Sequence, residues 1–321
     1  MDRLVADDSR VRYESFQIRG KKYSAIIADP VSEPIHTVVL IHGFPDLSYG
    51  WRVQIPYLQS LGYRVIAPDM LGYGKTDAPK ELQEYSLKSM SSDVAELARL
   101  FVGTGQIILG GHDWGGGLVW RVALWYPELI KAAFTVRLVA NFPNFGYQTQ
   151  FAGPEVEQQI QGATKVRQFF NAVYDARGPN GEVGFAVEGG GVQFANLDKI
   201  GQSALLTSEE LDHYVQEYMR HEAPQMRGPL SWYRIRPLIY EEELVLTEKP
   251  VFFEFPAMLI TATRDEALPP RMSHGMDQYF KNLKRADVEA SHWALTEAGD
   301  QVNHEIAKFI GEVLKAAAWL V

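Results

Sequence analysis

The sequence predicts an α/β fold, a mostly parallel central sheet flanked by helices, with a helical cap inserted into it. Three observations carry this expectation. Continuous apolar runs at Thr37–Ile41, Arg64–Pro68 and 106–110 have the character of strands buried on both faces, each ending in a loop rich in Gly, Asp or Pro. Between the second and third runs, Leu87, Met90, Val94, Leu97, Ala98 and Phe101 recur at the spacing of one helix face, which predicts a helix over 86–101. Beyond about Phe142 the strand rhythm stops and returns only at 256–262; the stretch between is patchy helix and loop, glycine-rich from Gly178 to Gly191.

In chain order, 12–18 and 22–28 flank Arg19-Gly20-Lys21 and are expected to pair as an antiparallel hairpin leading into the sheet. The three apolar runs and their helix follow, and a second helix begins at Trp114 or just after it. A strand is expected near 132–139, then, past the insertion, the strand 256–262, a helix from about Arg271, a strand near 285–289 and a C-terminal helix from about Gly299. The expected division is therefore a sheet domain of residues 1–141 and 250–321, with a cap over 142–249. No internal repeat is visible.

Composition narrows the function. The 321 residues are 46% hydrophobic, enough to bury a real core, and 31 Lys and Arg against 40 Asp and Glu leave a net charge of −9. That charge works against nucleic acid or an acidic membrane surface as partner and favours a small, uncharged or hydrophobic one. With no cysteine, a disulfide framework, a thiolate nucleophile and Cys-based metal sites are excluded. The first residues lack the apolar stretch of a signal peptide, and no run of roughly 18 apolar residues is present to span a membrane. A cytoplasmic enzyme is the expectation.

The strand 106–110 runs directly into Gly111-His112-Asp113-Trp114-Gly115-Gly116-Gly117 and then a helix. This is the nucleophile-elbow pattern, with Asp where serine is commonest. Glycines at 111 and 115 suit a sharp strand-to-helix turn that crowds backbone against backbone. The turn lifts Asp113 to the carboxyl end of the sheet and sets it at the positive end of the following helix. A carboxylate that attacks saturated carbon forms an alkyl ester, which water can reopen at its carbonyl carbon; a serine there would leave an inert ether. Displacement at saturated carbon is thus favoured over ester or amide cleavage.

Turning over such an ester needs a general base near pH 7, most naturally a histidine oriented by a carboxylate. Of eight histidines, His292 in Glu289-Ala290-Ser291-His292-Trp293 stands after a strand and before a helical segment. Asp265, in Thr263-Arg264-Asp265-Glu266, follows the preceding strand and is the natural orienting group, with Glu266 as runner-up. Nothing acidic follows the strand near 132–139, where Asn141 stands. Nucleophile, acid and histidine then come in the order expected of this architecture. His42-Gly43-Phe44-Pro45 occupies the loop that supplies an oxyanion donor, so the expected donors are the backbone N–H groups of Phe44 and Trp114. Pro45 has no N–H to offer, and His42 is expected to hold the loop by local hydrogen bonds.

At these residues the chain resembles the soluble epoxide hydrolases of the α/β-hydrolase superfamily, and the likeness covers nearly its whole length. It extends to Trp51-Arg52-Val53-Gln54, to Gly72-Tyr73-Gly74 and to Gly228-Pro229-Leu230-Ser231-Trp232-Tyr233-Arg234. The resemblance implies an α/β-hydrolase fold and two cap tyrosines that donate to the epoxide oxygen as the ring opens. Tyr233 falls on the second of these positions; Tyr147, in Tyr147-Gln148-Thr149-Gln150-Phe151, is similar to the family's Tyr-x-x-x-Phe pattern and falls on the first. Tyr214 and Tyr218 share a cap helix and are expected to pack in the core or lie on the surface. No cofactor and no metal are implied; the partners are a hydrophobic epoxide and water. The larger animal members carry an extra N-terminal phosphatase-like domain that this sequence lacks, so no phosphatase activity is expected, and the segment 137–144 is less typical of the family. Haloalkane dehalogenases share the Asp nucleophile, the following Trp and the Asp–His pair. Phe44 stands where they often carry an Asn donor, whereas Trp232 is compatible with their halide site.

Overall fold

The computed structural model describes residues 2–136, 146–248 and 250–318. Its first half contains β1 (Arg12–Ile18), β2 (Lys21–Ala28), β3 (Thr37–Ile41), α1 (Gln54–Ser60), β4 (Arg64–Pro68), α2 (Leu87–Val102), β5 (Ile107–His112), α3 (Trp114–Trp125) and β6 (Ile130–Val136). Next come α4 (Gly146–Ala152), α5 (Glu155–Gln159), α6 (Gly162–Val173), a short pair β7 (Phe185–Ala186) and β8 (Gly191–Val192), α7 (Ser208–Tyr218), α8 (Arg227–Arg234) and α9 (Arg236–Glu243). The chain ends with β9 (Ala257–Ala262), β10 (Leu283–Val288), α10 (Ala294–Glu297) and α11 (Gly299–Ala318).

The eight-stranded sheet has the order β1-β2-β4-β3-β5-β6-β9-β10. β1 and β2 are antiparallel to each other, β2 is antiparallel to β4, and every later pair is parallel. Burial follows position. β3 and β5 are buried along their whole length, as helices on both faces of a parallel sheet require, whereas the edge strands β1 and β10 alternate. Arg19 and Gly20 both take positive φ, 49° and 79°, which makes the two-residue turn between β1 and β2. The expected helix from about Arg271 is replaced by two 3₁₀ turns, Pro270–Ser273 and Met276–Tyr279. Pro269 and Pro270 lack the N–H groups a helix would use, and Gly275 at φ 76° breaks the stretch between the two turns. Among the described residues no helix is long and apolar enough to cross a membrane.

Two compact units form. One comprises Met1–Met70, Leu87–Ala140 and Ile239–Val321 and holds the sheet; the other comprises Leu71–Ser86 and Asn141–Leu238 and is largely helical. This division differs from the expected one at two places, each with a physical cause. The Trp232 indole N–H donates to the Leu71 carbonyl at 3.0 Å, and Gly72 approaches Gly228 so closely that a Cβ on Gly72 would lie 2.7 Å from the Gly228 carbonyl carbon. These contacts gather 71–86 into the helical unit. Arg121 of α3 pairs with Glu243 through two bonds of 2.7 and 3.1 Å, which holds the end of α9 to the sheet unit. The expected junctions near 141 and 249, and the segment 137–144 with Asn141, lie outside the described residues.

The hairpin of β1 and β2 is pinned to α2 through Asp93, whose carboxylate is fully buried. It accepts from Tyr23 Oη at 2.7 Å and pairs with Lys21 at 3.0 Å and Arg19 at 3.0 Å. Burial holds the Asp93 carboxyl above the usual carboxylate range, and these three partners offset it only in part. Asp93→Ala removes the buried acceptor shared by Tyr23, Lys21 and Arg19 and is expected to cost about 3 kcal/mol, read as a lowered urea midpoint with an unchanged slope.

Candidate active site

The elbow is built by close approaches that only glycine permits. A Cβ on Gly115 would lie 2.2 Å from the Ile41 carbonyl oxygen, and one on Gly43 would lie 2.4 Å from Asp113 Cβ. Between these neighbours Asp113 is driven to φ 53°, ψ −124°, a backbone state that a non-glycine residue holds at a cost of about 1–3 kcal/mol. It is the residue before α3, yet its side chain makes no capping bond to that helix. Asp113 Oδ1 instead accepts the backbone N–H of Phe44 at 3.0 Å.

His292 and Asp265 converge on the same carboxylate. His292 Nε2 is 3.7 Å from Asp113 Oδ2, and its Nδ1 is 3.7 Å from Asp265 Oδ1. Both gaps exceed direct hydrogen-bond length. Asp265 has a fully buried side chain whose Oδ1 also accepts the N–H groups of Ala267 and Leu268 at 2.9 and 3.1 Å. The carboxylate thus closes its own loop while facing the imidazole. Glu266, the runner-up, is exposed.

Three strand ends therefore deliver the set: β5 carries Asp113, the turn after β9 carries Asp265, and the turn after β10 carries His292. Phe44 follows β3, and Trp114 opens α3, so the expected oxyanion donors both belong to segments bordering Asp113. His42 holds the Phe44 loop. The Met70 N–H donates to its Nε2 at 2.9 Å, so Nδ1 carries the proton and donates to the Gly43 carbonyl at 2.9 Å. Sequence reasoning did not single out His112. This buried residue donates from Nε2 to the His292 carbonyl at 3.1 Å, and its ring meets the His292 ring edge-on at 5.3 Å. Its place beside Asp113 was the only signal that could have drawn attention to it.

In the helical unit, Tyr147 and Tyr233 are both buried, with ring centroids 6.5 Å apart. Phe151 sits one turn beyond Tyr147 on α4 and meets both rings, at 5.6 Å from Tyr147 and 5.0 Å from Tyr233, which gives the Tyr-x-x-x-Phe pattern a packing role. Gln148 Nε2 donates to Tyr147 Oη at 3.2 Å. Tyr214 and Tyr218 are core residues packed on Phe170 at 5.0 Å each. Since the Trp232 N–H is engaged by Leu71, it is not presented as a halide donor.

A sequence profile of the alpha/beta hydrolase fold matches residues 36–298, and the chain belongs to that family. Epoxide hydrolase srdG of Neurospora crassa is 40% identical over 98% of this chain and 99% of its own length. Bifunctional epoxide hydrolase 2 of Mus musculus is 32% identical over 84% of this chain, matching 51% of the mouse protein. Among solved structures, an epoxide hydrolase mutant of Vigna radiata aligns with a TM-score of 0.77 at 27% identity, covering 94% of this chain and 99% of that one. Epoxide hydrolase A from Mycobacterium thermoresistibile aligns with a TM-score of 0.73 at 26% identity, covering 93% and 98%.

Burial pushes the His42 imidazole down from 6.5 to about 4. Between those values the unfolded chain binds a proton that the folded chain refuses, so stability is full above pH 6.5 and falls as pH drops toward 4. Urea midpoints measured from pH 7.5 to 4 are expected to fall less steeply in His42→Gln than in the unsubstituted protein; equal slopes would remove His42 as the cause.

Proposed function

We propose that the chain hydrolyses small hydrophobic epoxides to vicinal diols through a covalent ester on Asp113. One observation carries the reading: the elbow residue is a carboxylate, with one oxygen on the Phe44 N–H and the other facing an imidazole backed by Asp265. The names of the relatives supply the substrate class.

In this mechanism Asp113 Oδ2 attacks a ring carbon, the ring C–O bond breaks, and the departing alkoxide takes a proton from Tyr147 or Tyr233. Oδ1 becomes the ester carbonyl oxygen. His292 then takes a proton from water, and the resulting hydroxide adds to the ester carbon. The negative charge collects on Oδ1, where the Phe44 N–H already donates and the Trp114 N–H is assigned as the second donor. Asp265 steadies the imidazolium. Collapse breaks the ester C–O bond, the departing diol oxygen takes the proton held by His292, and the proton left on the Asp113 carboxyl, which keeps one oxygen from water, returns to the tyrosinate that protonated the alkoxide. Water and epoxide balance the diol, and every proton passes through the chain's own groups.

His292→Gln incubated with styrene oxide should trap the ester, seen as a mass increase of one epoxide on the peptide containing Asp113; an unmodified peptide would sink the covalent route. Replacing Tyr147 and Tyr233 together by Phe removes both proposed donors and is expected to slow ring opening by about 10³-fold or more. Ester formation at the unsubstituted rate would remove the two tyrosines from the reaction. The same reactions run with a haloalkane are expected to release no halide.

A further inference from the structure

We propose that Glu297 is a positioning residue for His292, a carboxylate that ties the loop carrying the base to the loop carrying Asp265; this rests on the ester route above. Glu297 closes α10, and its side chain is only 14% exposed. Both of its oxygens receive the Ser291 N–H at 3.2 Å, and Oε1 also receives the Ser291 hydroxyl. Oε2 lies 3.6 Å from the Arg264 guanidinium. Ser291 immediately precedes His292, and Arg264 immediately precedes Asp265, so one carboxylate reaches the neighbour of each.

Bonds on either side of this link hold the two loops and the helix that follows them. The two loops are stitched by Arg264 N–H to the Ala290 carbonyl and Thr263 N–H to the Val288 carbonyl, both at 3.0 Å. His112 holds the His292 carbonyl itself. On its far side α10 is anchored by the buried Arg52, which donates to Thr296 Oγ1 at 3.3 Å, and by Gln54, which donates to the Leu295 carbonyl at 3.1 Å. With α10 anchored and the carbonyl of 292 pinned, the Ser291 end sets the direction of the imidazole.

The chemistry of the partners explains why an acid stands there. Ser291 N–H, Ser291 O–H and the Arg264 guanidinium are all donors, and an ionised carboxylate accepts from all of them. A glutamine of the same shape would turn its own NH₂ toward one of these donors and lose a charge-assisted bond.

The test compares Glu297→Gln and Glu297→Asp with the unsubstituted protein, using rapid quench and mass spectrometry to follow the Asp113 ester formed from styrene oxide. Glu297→Gln should form ester at a rate within about threefold of normal and break it down roughly 10²-fold more slowly, because an angstrom of misplacement in a reacting group costs about that much. Ester would then accumulate, while the thermal midpoint stays within a few degrees. Because an imidazole poorly aligned with Asp265 gains less from that carboxylate, the acidic limb of the breakdown profile should move to lower pH. Glu297→Asp should recover part of the rate. Unchanged breakdown rate and pH profile, or both steps slowed equally with a lowered thermal midpoint, would overturn the positioning role. If the unsubstituted protein forms no ester at all, the ester route falls and the positioning role falls with it.

Discussion

The bond from the Phe44 N–H to Asp113 Oδ1 is the contact on which the arrangement depends, because it fixes which carboxylate oxygen does what. An oxygen held by a backbone donor becomes the carbonyl oxygen of the proposed ester and then the site of negative charge, with no donor having to move. The other oxygen is left to the imidazole. Keeping that bond requires the β3 loop to touch the elbow, and this contact accounts for the glycine at 43, the strained backbone at 113 and the glycine at 115 together. His42 completes the support by tying the same loop to Met70 at the end of β4.

Much of this was legible in the residues. Strands with continuous β-branched and aliphatic runs declared themselves because they are buried on both faces, and the ends of β5, β9 and β10 could be searched for polar side chains once the strands were placed. The structure brings Asp113, His292 and Asp265 together from those ends. Other features lie below sequence resolution. A helix at 271 looks plausible from composition, yet Pro269, Pro270 and the positive φ of Gly275 reduce it to two turns. The membership of 71–86 in the helical unit depends on Trp232 and on one glycine meeting another across 156 positions, which no local pattern announces.

Several of the shared motifs acquire separate physical meanings. Gly72-Tyr73-Gly74 and the segment beginning at Gly228 are two halves of one contact, since a side chain on either glycine would strike the other's backbone. Trp51-Arg52-Val53-Gln54 braces the helix after His292 through Arg52 and Gln54, and its Val53 carbonyl accepts from Asn303 at 3.2 Å. The segment therefore supports the loop that carries the proposed base.

The same bracing sets a schedule for the protein's biosynthesis. Arg52 and Gln54 emerge early from the ribosome, but their partners at 295 and 296 are made near the end, after the whole insertion. Asp113 is made with β3, β5 and α3, long before the residues proposed as base and orienting acid. A nascent chain therefore carries the proposed nucleophile before it carries the residues proposed to release the ester. Because the entropy of closing so long a loop grows only as its logarithm, about 0.6 kcal/mol for each doubling, the insertion can lengthen or shorten with little effect on that late pairing.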